Sequence, residues 1–438
     1  SQSMVSVQFR IPMASDGVLG RRFRGSGLVV DAQAGLVVCD RDTVPVVMGD
    51  VRLTFGGSVE VPGEVVALHP AHNLALISYA PSMLGDTPVR AADFVARSLK
   101  SGDSVVHVGM RSTGKLTVRE SEVADVEPIF LPFPSVPGFR SVHHEMVSLR
   151  EPPPSVGGAI ADKAGRVLAL WASFPDHSNA DGDAWFRGVP SGVVESFVED
   201  FRAGGAAQWR TLDVIWRPMS LRDARRRGLP EDVAHRLELA DPERRQVLAA
   251  WSISPEGPSS GKLKAGDMLV GVGNELVTRF DRLEALSQAS ALSLSIYRRD
   301  QQMELEIPTR AMGPDGTTRV VLWSGAVLQA PHYAVAQQHQ QERVGVYVAS
   351  TWRGSPAGRY QIAATRRIVE VDGHPTPDLD AFLAALAGKE SGQAVRLRTV
   401  DTDGRVRAKT LKLDLEYWPT EEVLLTEDGW VRRAAQVQ

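Results

Sequence analysis

Hydrolytic chemistry needs a nucleophile, a base to take its proton and a carboxylate to orient that base. Ser155, in the loop Pro154-Ser155-Val156-Gly157-Gly158, supplies a hydroxyl, and His69, His72, His143 and His144 could serve as bases. Loops and turns are equally ordinary places for all five residues. The Asp-rich run from Asp176 to Asp183 raises a calcium question instead. A calcium loop alternates oxygen ligands and needs Gly at its sixth position. Counted from Asp176, the sixth residue is Asp181, so the register fails and a solvated loop is expected. No metal site and no cofactor is expected. Cys39 is the single cysteine, so no internal disulfide forms; it ends the apolar strand Leu36–Cys39 and is expected in the core.

The elements that would position these groups are mostly strands. The chain has 438 residues, enough for about three domains. Its 43% hydrophobic and 23% charged content is ordinary for a globular protein, and a net charge of -4 gives no reason to expect nucleic acid or a membrane as partner. Basic clusters such as Arg225-Arg226-Arg227 sit beside acidic residues and read as solvated faces. No apolar run reaches the ~20 residues of a membrane span. A strand, Val5 to Ile11, starts almost at once after Ser1, so a longer parent protein is expected; the compartment, cytoplasmic or periplasmic, stays open. Through about residue 205, short alternating runs separated by Gly/Pro turns suit a sandwich or a pair of barrels. Val194, Phe197, Val198 and Phe201 then fall at helical spacing, with Ser191 as expected N-cap and Gly204-Gly205 as stop.

Several strings carry a family resemblance. Gly25-Ser26-Gly27-Leu28-Val29-Val30 and Gly35-Leu36-Val37-Val38-Cys39-Asp40-Arg41-Asp42-Thr43-Val44 resemble the first hairpin of HtrA-type serine proteases. His69-Pro70-Ala71-His72-Asn73-Leu74 and the loop Pro154–Gly158 resemble the segments that carry the catalytic Asp and Ser. The resemblance implies a mainly β fold, a trypsin-like double β-barrel followed by two PDZ-like α+β domains. It puts Asp42 at the histidine position, Asn73 at the aspartate position and Val156 at the nucleophile position. Val156 has no nucleophilic atom, and an exposed carboxylate such as Asp42, with a pKa near ~4, is a weak base. Pro154, two residues before the nucleophile position, lacks the N–H that an oxyanion hole would use. The triad therefore reads as degenerate and the chain as no enzyme, a pseudo-protease within a serine endopeptidase parent.

Two further resemblances follow. Gly261–Val272 and the helix from Asp281 resemble a PDZ unit, as do Gly354-Ser355-Pro356-Ala357, Arg367–Pro375 and the helix from Asp378. A PDZ domain adds a peptide as a strand beside a groove helix, and a short loop holds the chain end. The matching loops are Leu212-Asp213-Val214 and Trp323-Ser324-Gly325, the peptide-binding candidates; Asp213 should repel a peptide carboxylate. Together the strings look like the C-terminal half of the tandem HtrA proteins of the Nma and Deg type. Domains are expected at 1–205, 209–310 and 316–418, with a tail over 419–438.

The function read from these features is oligomerisation and binding of unfolded polypeptides or peptide C-termini. The expected partners include an active protease domain of the same parent and further copies of the chain, with a trimer as the default; Phe9 and Phe23 are candidate interface aromatics, with ordinary core burial the preferred role for each. The alternatives are an active endopeptidase using displaced residues, Ser155 first among them, and a stand-alone chaperone.

Overall fold

The computed structural model describes residues 2–18, 20–131, 138, 142–174, 185–204, 209–313, 316–426 and 429–435. The Asp176–Asp183 loop and the side chains of His143 and His144 lie outside the described residues.

Alternation closes the first barrel. β1 (Met4–Arg10), β2 (Arg22–Asp31), β3 (Leu36–Cys39), β4 (Asp50–Phe55), β5 (Val59–Leu68) and β6 (Ala75–Tyr79) join in the order β1-β2-β3-β6-β5-β4. Val5, Val7 and Phe9 point inward and face Phe55, Leu53 and Val51 across the β1–β4 pair. Phe9 is thus a core residue, with its ring 6.2 Å from that of Phe23, and not an interface aromatic. The second barrel repeats the plan with β7 (Ser104–Met110), β8 (Leu116–Phe130), β9 (Val142–Leu149), β10 (Gly158–Ala161), β11 (Val167–Phe174) and β12 (Trp185–Pro190), in the order β10-β11-β12-β9-β8-β7. The helix α1 (Ser191–Arg202) closes the pair, with Val194, Phe197 and Val198 buried in a cluster that includes Leu28, Leu76, Met110 and Leu170 from both barrels. Ser191 is not its N-cap. Pro190 takes that position, and the Ser191 hydroxyl donates to the Val95 carbonyl at 2.6 Å. A tertiary acceptor has outcompeted the local cap.

The next sheet has the order β14-β15-β16-β18-β19. A two-residue strand, β13 (Arg210–Thr211), precedes it. Its elements are β14 (Val214–Ser220), α2 (Leu221–Arg226), α3 (Glu231–Ala240), β15 (Gln246–Ile253), β16 (Met268–Val272), β17 (Glu275–Leu276), α4 (Phe280–Leu286), β18 (Ala291–Arg298) and β19 (Gln301–Pro308). β13 pairs with β20 (Arg310–Ala311) rather than with β14.

The last sheet repeats this order and extends it. It contains β21 (Arg319–Trp323), β22 (Ala326–Gln329), α5 (Tyr333–His339), β23 (Val346–Thr351), α6 (Pro356–Arg359), β24 (Arg367–Val371), β25 (His374–Pro375), α7 (Leu379–Ala385), β26 (Ala394–Val400), β27 (Val406–Lys412), β28 (Glu421–Thr426) and β29 (Gly429–Ala434). The order is β27-β26-β24-β23-β22-β21-β28-β29. Residues 419–438, expected as a tail, therefore supply two strands. β28 joins the sheet by pairing with β21, Val423 is buried in the apolar cluster beneath, and the buried Glu422 pairs with Arg319 at 2.6 Å and with Arg433 at 3.4 Å.

The last sheet docks on the first barrel. Met13 and Met48 pack with Val320, Leu322, Val327 and Tyr347. Beside them the buried Asp16 takes 2.6 Å from Gln329 Nε2 and a bond from the Thr317 hydroxyl, while its own N–H donates to Gln329 Oε1 at 2.9 Å. The middle sheet docks through Arg244, which sits 2.5 Å from Glu145 and also donates to the Val126 carbonyl.

Candidate functional site

The loop after β3 carries three chemically active side chains, Asp40, Arg41 and Asp42, and all three face other elements rather than a free substrate site. Asn73, buried at the start of the turn before β6, accepts the Arg41 N–H at 2.8 Å and donates to the Ser173 carbonyl at 2.7 Å. Asp42 Oδ2 accepts the Ser173 hydroxyl at 2.5 Å. Asp40 accepts the Ser173 N–H at 3.1 Å and the Thr43 N–H at 2.7 Å. Burial, and then the charge of Asp42, push the Asp40 carboxyl up to about 7 against those two donors. Ser173 lies on β11 of the other barrel, so this network fastens barrel to barrel. Neither Ser173 nor Asp40 was visible as a site residue in the sequence, because each owes its role to a partner more than 130 positions away.

Val156 sits on the opposing loop. Its N–H donates to the Met110 carbonyl at 2.7 Å, and the Met110 N–H returns a bond to Gly157 at 2.9 Å. Gly157, at φ +127, approaches the first barrel so closely that a β-carbon would lie 2.5 Å from Ser26 Oγ. Val156 lines an open cleft of about 620 Å³ with Met4, Gly25, Met110, Arg111 and Leu116. Pro154 is exposed on the same loop.

The displaced candidates separate into two groups. His69 Nδ1 accepts the N–H groups of Ala71 and His72, at 3.0 and 2.9 Å, and its ring packs 5.0 Å from Trp209. His72 Nε2 lies 3.2 Å from Glu284 on α4. Both histidines therefore serve the junction between the barrels and the middle sheet. Ser155 is different: its hydroxyl is buried without a hydrogen-bond partner among the described residues, and so are both ring nitrogens of His107. Both side chains border Gly109, where a β-carbon would lie 2.7 Å from His107 Cε1 and 2.9 Å from Ser155 Cβ. Burial pushes His107 down to about 4, so the ring is neutral near pH 7.

The two candidate loops occupy equivalent positions. Asp213 holds φ +54 before β14, and Gly325 holds φ +79 before β22. Each gives its carbonyl to the residue just past the neighbouring strand, Ser254 at 3.0 Å and Trp352 at 2.8 Å. Left-handed backbone suits Gly and is tolerated by Asp. Asp213 does not face an open groove. Its side chain is buried, with Oδ2 2.5 Å from Arg310 and Oδ1 accepting the Tyr333 hydroxyl at 2.9 Å. Burial raises its pKa against the pull of Arg310 and Tyr333. Leu212 is buried and Val214 half-buried beside it. In the other loop Trp323 and Ser324 are buried, and a β-carbon on Gly325 would lie 2.1 Å from Ser355 Cβ. Trp323, Ser324 and Gly325 thus form a covered hairpin turn and not an exposed chain-end cradle.

Residues 25–170 match the trypsin-like peptidase domain family, and residues 316–388 match the PDZ-like domain family. The chain is 35% identical to Protease Do-like 7 of Arabidopsis thaliana, over 96% of this chain and 42% of that protein. It is 33% identical to the pro-apoptotic serine protease NMA111 of Yarrowia lipolytica, over 98% of this chain and 44% of that protein. The chain thus spans less than half the length of these relatives. Among solved structures, the HtrA-type protease AlgW with decapeptide aligns at 14% identity, covering 72% of this chain and 96% of that one with a TM-score of 0.48. The fold is a mainly β, trypsin-like double barrel with a PDZ domain.

The relatives overturn one expectation from the sequence. The proteins matched by 96–98% of this chain are named as a protease and as a serine protease, which contradicts the reading of the chain as no enzyme. Asp42, Asn73 and Val156 are one set of side chains, and the chain holds other hydroxyl and imidazole groups, Ser155 and His107 among them.

Proposed function

We propose that this chain, which joins a trypsin-like double barrel to a PDZ domain and is similar over nearly all its length to proteins named as proteases, works in an HtrA-type serine endopeptidase and takes hold of unfolded polypeptides there. The observation that carries this is the open cleft beside Val156. Its volume of about 620 Å³ is of the size of a ligand site, its wall mixes Met4, Met110 and Leu116 with Arg111 and Ser112, and Val156 puts no charge into it. An extended chain fits such a wall without a specific sequence. Self-association, with a trimer as the expected form, belongs to the same proposal and is tested by light-scattering mass.

Ser155 and His107 favour a second reading, in which this barrel cleaves with a displaced nucleophile. Ser155 brings a hydroxyl without a hydrogen-bond partner and His107 a neutral ring near it; they are not bonded to each other, so a nucleophile–base pair forms only if the loop rearranges. Both groups are buried, so cleavage by this route needs the Pro154–Gly158 loop to open.

One experiment separates the two. A fluorescently labelled, reduced and carboxymethylated protein is titrated with the chain, anisotropy is followed, and the endpoint is run on a gel. Binding with intact substrate supports capture. Fragments that vanish with Ser155→Ala, together with fluorophosphonate labelling of Ser155, support the displaced nucleophile. Absence of binding would sink the capture reading.

A further inference from the structure

The open cleft beside Val156 is floored by the outer face of three strands of the first barrel. Ser6 and Gln8 of β1, Arg24 of β2 and Thr54 of β4 all line it. Strand pairing fixes their rows. Gln8 stands opposite Arg24 on one side and opposite Arg52 on the other, and in the adjoining row Arg10 stands opposite Arg22 and Asp50. Directly opposed residues have their β-carbons about 5 Å apart, so four guanidinium groups share one small face. Arg111, at the start of the loop after β7, brings a fifth to the cleft from the second barrel. All five side chains are exposed, and none has an ion-pair partner among the described residues. In these rows the carboxylates are Asp50, opposite Arg10, and Glu60, opposite Thr54; none lines the cleft itself. Elsewhere the chain neutralises its arginines, as in Arg244 with Glu145, Arg282 with Glu275 and Arg298 with Asp267. Like charges opposed on a sheet cost stability, and the net charge of the whole chain is -4. A basic face that an acidic protein leaves without partners is complementary to anionic groups on something else.

Resting on the capture reading above, we propose that this cleft selects acidic stretches of unfolded polypeptide, with Arg24, Arg52 and Arg111 taking Asp and Glu side chains. Selection is by composition rather than by sequence. Met4, Met110, Leu116 and Val156 offer contact to aliphatic side chains, while carboxylates reach the guanidinium groups around them. Side chains alternate along an extended chain, so a stretch that mixes acidic and aliphatic residues meets both parts of the wall. A volume of about 620 Å³ is of the size taken by a single extended strand, which favours polypeptide over a nucleic-acid duplex. Because the arginines are exposed, each contact is weak and screened by salt, and the preference comes from several acting together.

The test uses the full chain and three peptides of ten residues, in which Val alternates with Glu, with Gln or with Lys, each carrying a rhodamine of zero net charge. The expected result, by anisotropy, is that the Glu peptide binds about tenfold tighter than the Gln peptide at ~20 mM salt and only about twofold tighter at ~0.5 M, with the Lys peptide weakest. Exchanging Arg24→Gln, Arg52→Gln and Arg111→Gln together, three exposed side chains without ion pairs, should make the Glu and Gln peptides bind alike and leave the Gln peptide's affinity unchanged. Arg236→Gln, on α3, alters the charge away from the cleft and should leave the preference intact. Equal affinity for the Glu and Gln peptides in the unaltered chain would overturn acid selection while leaving capture intact. A Glu preference that survives the triple exchange would place acid selection elsewhere and overturn the assignment to this cleft. A ten-nucleotide oligothymidylate that binds more tightly than the Glu peptide, and is lost in the triple exchange, would overturn it in favour of nucleic acid. If neither the peptides nor the labelled unfolded protein bind, the capture reading itself fails.

Discussion

The two repeated sheets start from the same strand order and end in opposite states. In the first, β14 is an edge, and the channel beside it is lined by Ala71 and Trp209 as well as by Tyr333 and Gln337. In the second, the equivalent strand β22 is covered by the chain itself, since β21 returns through the Ser324-Gly325 turn and pairs with it antiparallel. Trp323 on β21 then packs edge-on against Phe382 of α7 at 5.3 Å, in the space that a bound peptide would use. β28 covers β21 in turn. The difference arises at one joint: β13 leaves its sheet, whereas β21 stays on it. A strand-adding fold can thus be spent inside the molecule, and a family likeness to peptide-binding domains does not say which copy still has an edge to offer.

The strongest way to break this contrast is Trp323→Ala. If β21 is a built-in strand, the substitution leaves a cavity in the core of the second sheet and lowers stability by about 3–5 kcal/mol, read from denaturant unfolding. A loss below ~1 kcal/mol would mean that Trp323 lies in a dispensable groove. Next comes Gly325→Asp, which copies the residue of the first loop into the second. With φ at +79 and Ser355 Cβ in the way, it should cost about 3 kcal/mol, while the reverse exchange, Asp213→Gly, relieves the backbone but strands Arg310 and Tyr333, for a net loss of ~1 kcal/mol.

A pH profile sharpens the contrast further, because Asp213 titrates and Gly325 does not. Burial raises the folded value of Asp213 above 3.8. Between these two values the folded chain keeps a proton that the unfolded chain has released. The contribution of this group to stability is therefore greatest below pH 3.8 and falls as pH rises through the folded value, by at most about 1.4 kcal/mol per pH unit. Asp213→Asn should flatten that part of the profile; an unchanged slope would place the charge outside the fold. The smallest effect is expected from Tyr333→Phe, which removes one hydrogen bond to Asp213 and should lower stability by under ~1 kcal/mol in denaturant unfolding.

The sequence showed the barrels well, because strings such as Leu36–Cys39 and Ala75–Tyr79 alternate or run apolar according to the face they bury. The groove helices were equally plain: Asp378 does cap α7, accepting the Ala381 N–H at 2.8 Å. Asn73 holds the Arg41 backbone, a contact its place in the His69–Leu74 string does not announce. What stayed hidden was whatever depends on distant partners. The Ser173–Asp42 bond, the loss of Ser191 as a cap to Val95, the strands formed by residues after 419 and the seating of Tyr333 on Asp213 all join segments that no local pattern links. Sequence placed Asp213 where a glycine belongs; only packing says that its carboxylate is used.

The bond network of Asp16 has a temporal consequence. Its partner Gln329 lies 313 residues further along the chain. At ~5–20 residues per second, a ribosome delivers that partner roughly 15–60 s after Asp16. During this interval the first barrel can close, but Met13 and Met48 have nothing to cover them and a carboxylate meant for burial stands in water. The nascent chain therefore passes through a long-lived species with an apolar patch on show, and it is vulnerable to aggregation until the last sheet arrives.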